Sequence, residues 1–142
     1  MDRRIALKHV ALLAGAAAVL PGCLSQPEPA VTALSAAQRQ LVAEVCETLL
    51  PRTATPGAYD LGLPQYVLKM LADCTPLQEQ QLFVAGLEQL DAAAQRQHGR
   101  SFGASSLAQR ATLLQHLDQQ PADFSNELVG FYRTARQLTI DG

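Results

Sequence analysis

From Leu34 onward, helix-start signals recur, and each is followed by apolar residues at spacings of three and four. This rhythm restricts the fold more than any other feature, because a stripe of period 3.6 buries one helical face and cannot bury one face of a strand. Ser35 with Gln38 reads as a capping box, and Val42, Val45, Cys46, Leu49 and Leu50 form the buried stripe behind it. Pro51 ends that helix. Pro64 suits the first turn of a second helix, carried by Tyr66, Val67, Met70 and Leu71 to Asp73. Thr75 is placed to cap a third, with Pro76 opening it, Gln78 completing a capping box and Gly99 closing it. Its stripe is Phe83, Leu87, Leu90 and Ala94. Gly86 lies inside it at a cost of about 1 kcal/mol relative to Ala, which a close helix crossing would offset.

Ser106 with Gln109 starts a fourth helix burying Leu113, Leu114 and Leu117. A fifth follows Pro121, with Phe124, Leu128, Phe131, Ala135 and Leu138 inward. No sustained β-branched alternation and no Asn-Gly hairpin signal interrupts this series, so the expected fold is all-α, a single small domain of about five helices. Residues 51–62 form the one long irregular connection. Within it Pro56-Gly57 is a turn pair, with Gly57 expected to supply a positive φ.

The N-terminus belongs to a different kind of segment. Arg3, Arg4, Leu7 and Lys8 precede an apolar run from Val10 to Leu20, too short for a membrane span of about 20 residues and shaped like a secretory signal. The paired arginines with Leu7 and Lys8 resemble the twin-arginine signal, which exports folded proteins. Leu20-Pro21-Gly22-Cys23 resembles a lipobox, making Cys23 the lipid-attachment residue. Acyl chains stabilise membrane binding by about 0.8 kcal/mol per buried methylene, so two chains anchor where one is marginal. Three regions follow: a signal at 1–22, an attachment cysteine and tether at 23–33 with Pro27 and Pro29, and a helical domain at 34–142. The expected location is the periplasmic face of a bacterial membrane.

Charge excludes one class of partner. Without Arg3, Arg4, Lys8 and Asp2, the remaining 8 basic and 12 acidic side chains give a net −4, with no Lys/Arg stripe for nucleic acid. No G-x-G-x-x-G follows a strand, and neither a C-x-x-C-H nor a cysteine cluster is present, so no cofactor site is expected in this chain. His98 and His116 are assigned surface or helix-end roles, and the pairs Glu44/Glu47 and Glu88/Asp91 solvated faces. Ser101, Ser105 and Ser106 lack a nucleophile-elbow context. Cys46 and Cys74 are a candidate disulfide in an oxidising compartment, with a buried thiol at Cys46 and a bond to a partner as the other readings.

The run L-S-A-A-Q-R-Q-L-V-A-E-V-C-E-T-L-L-P-R-T-A-T-P-G-A, continued by L-G-L-P-Q-Y-V, resembles the gluconate 2-dehydrogenase subunit 3 family. F-V-A-G-L-E-Q-L-D and the terminal F-Y-R-T-A-R-Q-L-T-I-D-G extend the similarity over about residues 33–142, and Pro51 to Pro64 is its most specific part. The resemblance implies a non-catalytic small subunit that carries the export signal for a large FAD-dependent dehydrogenase subunit acting on a sugar, sugar acid or alcohol. FAD is then expected in the partner, and a c-type cytochrome subunit is a further candidate member of the assembly. A free-standing periplasmic lipoprotein that binds a small ligand, and a small enzyme of unrecognised chemistry, are the rival readings.

Long ordered loops in compact domains usually serve a function, so the expected partner surface is the Pro51–Pro64 segment. Its candidate contacts are Arg52, Thr53, Thr55, Pro56, Gly57, Tyr59, Asp60, Gly62 and Pro64, with Arg52 and Tyr59 as anchors because those residue types dominate interface energetics. The competing reading has Thr53, Thr55 and Asp60 satisfying turn and capping groups.

Overall fold

Two reciprocal capping boxes set the ends of two helices. Ser35 Oγ accepts from Gln38 N–H at 3.1 Å while Gln38 Oε1 accepts from Ser35 N–H at 2.9 Å. Ser106 and Gln109 repeat the arrangement at 3.2 and 3.0 Å. Each box satisfies N–H groups that the first turn leaves without intrahelical partners. The computed structural model describes residues 28–142, so the readings on Arg3, Arg4, Leu7, Lys8 and Cys23 lie outside the described residues.

Five α-helices follow: α1 (Ala36–Leu49), α2 (Leu63–Cys74), α3 (Leu77–His98), α4 (Leu107–Gln119) and α5 (Asn126–Asp141). Short 3-10 turns occupy Ala30–Ala33 and Pro121–Asp123, and the described residues contain no strand. The all-α expectation therefore holds. None of these helices is long and apolar enough to cross a membrane.

α3 is the spine, and its most extensive contact is with α5. Phe83 of α3 and Phe131 of α5 are both buried, their ring centroids 4.7 Å apart and their planes tilted by 57°. Gly86, one turn along from Phe83, lies directly under α5. A Cβ built there would overlap the Glu127 carbonyl and the Phe131 side chain. The expected close crossing is thus present, and it offsets the propensity cost of a mid-helix glycine. α1 and α2 pack against each other and against α5, while α4 closes the remaining flank over α1, α3 and α5. Val42, Val45, Val67, Leu71, Leu87, Leu90, Leu113, Leu117 and Leu128 fill the space between them.

The structure corrects the sequence reading at several helix ends. Leu50 is 38% exposed, because it is the C-cap of α1 and its φ of −131° turns the side chain out of the buried stripe. Thr75 does not cap α3. Pro76 takes the N-cap position without a side-chain cap bond, the expected Thr75–Gln78 box is not formed, and the Thr75 carbonyl accepts instead from Gln80 Nε2 at 2.9 Å. α5 begins after Ser125, whose hydroxyl accepts from Leu128 N–H at 3.2 Å. Phe124 therefore precedes the helix and packs its edge on His116. The folded body also starts inside the segment assigned to the tether: Val31, in the first 3-10 turn, is 2% exposed, and that turn packs on α2 and α3.

Replacing Gly86 with Ala should lower stability by about 1–3 kcal/mol, since overpacking outweighs the gain in helix propensity. A lower midpoint in a thermal melt followed by circular dichroism checks this; an unchanged midpoint would mean that the crossing relaxes freely.

Candidate partner interface

The loop between α1 and α2 is organised by a residue that belongs to neither the loop nor the expected site. Glu47, half-buried on α1, accepts from the Arg52 N–H through Oε1 at 3.1 Å and from the Tyr59 N–H through Oε2 at 2.9 Å. One carboxylate thereby holds both ends of the segment, using both oxygens on backbone donors. The backbone closes around it: Ala58 N–H donates to the Leu50 carbonyl at 2.9 Å and Leu63 N–H to the Ala58 carbonyl at 3.1 Å. The i, i+3 spacing of Glu44 and Glu47 predicts a solvated face. That assignment fails because a carboxylate at the end of α1 lies within reach of a loop folding back over it, which spacing along the helix cannot reveal.

Gly57 has a role different from the one expected. Positive φ values occur at Gly62 and Gly99, not at Gly57. The requirement at Gly57 is space: a Cβ there would stand 2.6 Å from both the Arg52 nitrogen and Glu47 Oε1. Gly57 N–H also donates to Asp60 Oδ2 at 3.0 Å. Gly62 has φ +69° and serves as the N-cap of α2, with Pro64 buried in the first turn as expected.

Polar groups within the loop mostly satisfy one another. The Thr53 and Thr55 hydroxyls are 3.3 Å apart, Thr53 N–H donates to the Thr55 carbonyl at 3.1 Å, and Arg52 Nη1 pairs with Asp60 Oδ1 at 3.3 Å. The Arg52 side chain is 73% exposed, so this pair is a surface ion pair of small stabilising effect. Thr53, Thr55 and Asp60 thus do the turn and capping work of the competing reading. Pro56 is exposed and packs no core. Tyr59 is different: it is 47% exposed, it adjoins Leu61 at 56%, and its hydroxyl accepts from Gln40 Nε2 at 3.0 Å. Partial burial, with the Glu44 and Glu47 carboxylates nearby, pushes the phenol above its usual range against the opposing Gln40 hydrogen bond and the more distant Arg110 charge. Tyr59 therefore stays protonated at neutral pH. Leu50, Tyr59 and Leu61 are exposed apolar or aromatic side chains in and beside this loop.

The other candidate residues resolve into structural roles. Cys46 and Cys74 are both free thiols, so the candidate disulfide is not formed. Cys46 lies on the inner face of α1, receiving the Thr139 hydroxyl from α5 at 3.5 Å, whereas Cys74 is exposed at the end of α2. Burial pushes the Cys46 thiol up, partly opposed by the Thr139 hydrogen bond. His116 bridges Gln97 Oε1 at 3.1 Å and Asp123 Oδ2 at 2.7 Å, tying α4 to α3 and to the second 3-10 turn. His98 ends α3, as expected. Asp91 and Glu44 are not simply solvated. Asp91 Oδ1 accepts from Phe102 N–H at 2.9 Å, and Glu44 lies 3.9 Å from Arg110, with both side chains 17% exposed. Ser101, Ser105 and Ser106 hydrogen-bond locally within the 99–106 connection and at the α4 cap. Among the described residues no three His, Cys, Asp or Glu side chains cluster as a metal site would require.

The chain belongs to the gluconate 2-dehydrogenase subunit 3 family, whose model matches residues 36–142. Comparison with curated proteins and with solved structures finds no significant match. Family membership implies partner subunits, because the family is one component of a multi-subunit dehydrogenase.

Glu47→Ala should release the loop. Hydrogen bonds to a charged group are worth about 1.5–3 kcal/mol, so the Arg52 and Tyr59 amides should exchange measurably faster while amides in α3 and α5 keep their protection. Unchanged exchange at both amides would remove Glu47 as the organiser. In the folded protein, alkylation mapped by peptide mass spectrometry should modify Cys74 readily and Cys46 only after unfolding, because burial hinders both access and thiolate formation there. Equal labelling at the two positions would contradict the burial of Cys46.

Proposed function

We propose that this chain is a non-catalytic accessory subunit of a membrane-associated, flavin-dependent dehydrogenase that oxidises gluconate or a related sugar, sugar acid or alcohol. FAD and the reaction centre belong to a large partner subunit, which docks on the 51–64 loop. The small subunit supplies the export signal at Arg3, Arg4, Leu7 and Lys8, and the pair crosses to the periplasm folded. Lipid on Cys23 then holds the assembly at the membrane.

The observation that carries this reading is the Glu47-held loop. Glu47 satisfies the Arg52 and Tyr59 N–H groups at the two ends of the loop, and Tyr59 and Leu61 are left largely exposed. A loop ordered before it meets anything loses less conformational entropy on binding, which is how a preorganised surface gains affinity. Aromatic and Arg side chains in such a position are the residue types most often found at the energetic centre of an interface. The family match over residues 36–142 supports a partner that is another dehydrogenase subunit.

The test is co-expression of the full chain with the large subunit and purification from membranes, with flavin absorbance read on the complex. The double variant Arg52→Ala/Tyr59→Ala should retain helicity and Tm but reduce recovered flavoprotein at least about tenfold, as expected when interface anchors are truncated. Equal recovery of flavoprotein with wild type and variant would remove the loop from the interface.

A further inference from the structure

Three chain segments close one end of the bundle: the last turn of α1, the loop residues that lead into α2, and the last turn of α5. The Leu50 carbonyl accepts from Ala58 N–H and the Ala58 carbonyl from Leu63 N–H, which joins α1 to the start of α2. Gly142 lies against Tyr66 and Leu63, so close that an added Cβ would stand 2.5 Å from the Tyr66 ring. The Thr139 hydroxyl meets Cys46 Sγ at 3.5 Å and brings α5 back to α1. Each segment carries one exposed apolar side chain here: Leu50 next after α1, Leu61 ahead of α2, and Ile140 on α5 at 66%. They are three of the six large hydrophobic side chains exposed among the described residues, so they are grouped rather than scattered.

The size of a stable interface calls for such a surface. Specific complexes cover about 800 Å² and roughly 20–30 residues on each partner. The 51–62 loop is shorter than that, and Gly57 and Ala58 within it are buried, so a subunit that docks on the loop must also cover ground beside it. Along the flank of α1 the neighbouring side chains are Gln40 and Glu44, both polar and both already engaged within the chain. Toward the end of the bundle they are apolar, and the centres of interfaces are depleted in charge. The charged groups at this end have partners of their own: Arg52 pairs with Asp60, Glu47 holds two backbone amides, and Asp141 accepts from Gln137. Three carboxylates against one guanidinium also separate a protein partner from a lipid surface, since that balance repels anionic headgroups.

We propose that the large dehydrogenase subunit covers this end of the bundle with an apolar surface seated on Leu50, Leu61 and Ile140 together, so that the docking face continues from the 51–62 loop onto the last turn of α5. The proposal rests on the partner reading above and adds to it a helix that the loop does not include. Ile140 is the deciding residue, because it lies far from the loop in sequence and reaches it only through the contacts of α5 with α1 and α2.

The experiment titrates the purified large subunit against the full chain and three variants. Ile140→Gln removes apolar surface without adding charge or lowering helix propensity, so Tm should hold while binding weakens about fivefold or more. Ile140→Leu keeps the apolar area and should bind within about twofold of wild type. Leu82→Gln makes the same kind of change at a side chain 51% exposed on the solvent side of α3, and should bind like wild type. The proposal is overturned if Ile140→Gln binds like wild type, or if Ile140→Leu or Leu82→Gln loses as much affinity as Ile140→Gln. In the former case a loss in Tyr59→Ala leaves the loop as the docking surface without the α5 end. Failure of wild type to bind the large subunit sinks both. Phosphatidylglycerol vesicles that retain the full chain but release Ile140→Gln would assign the face to lipid, and light scattering that shows a dimer broken by Ile140→Gln would assign it to a second copy; either result overturns the proposal.

Discussion

The contact between α3 and α5 at Gly86 is the constraint on which the rest of the molecule depends. Without a side chain at that position, two helices approach closely enough for the tilted rings of Phe83 and Phe131 to meet across them. The pair forms a rigid platform, and α1 can then bury Val42, Val45 and Cys46 against it while keeping its opposite side in water. Close packing of this kind is discrete rather than continuously adjustable, so the direction of α1 is set by the platform. Since α1 carries Glu47, which holds the 51–62 loop, the placement of that loop follows from a glycine on a different helix.

The helical architecture was legible because its causes are local. Ser35–Gln38 and Ser106–Gln109 carry within four residues everything their capping boxes need, and the stripes at Phe83, Leu87, Leu90 and Ala94 depend only on period. Sequence and structure part where two local signals compete. Thr75 and Pro76 could each begin α3, and the chain uses Pro76, because its φ of −56° suits the N-cap while the Thr75 carbonyl is drawn to Gln80. Ser125 shows the same effect in reverse. A serine four residues after Pro121 marks the start of α5, although the helical spacing of Phe124 with Leu128 suggests an earlier start.

The candidate interface was visible only in outline. Pro, Gly and Thr between residues 51 and 62 announce an irregular segment, and Tyr59 and Arg52 are visible as residue types suited to interfaces. What holds the segment was hidden, because Glu47 reaches residues five and twelve positions away through backbone donors that have no sequence signature. The same holds for Asp91 and Phe102, eleven apart, and for Glu44 and Arg110, brought together only by the packing of α4 on α1. Carboxylates spaced by three on an amphipathic helix look alike whether water or a folded-back loop meets them. Only tertiary contact distinguishes the two.

The buried turn at Ala30–Ala33 has a mechanical consequence. With Val31 packed into the body, the chain leaves the domain at a fixed point beside α2 and α3. Seven residue steps separate Cys23 from Ala30, and a fully extended chain covers about 3.3–3.6 Å per residue, so such a leash reaches roughly 25 Å at most. Under the proposed acylation at Cys23, the domain would be moored within one small-protein diameter of the lipid headgroups, with little freedom to roam and a narrow range of heights for whatever it carries.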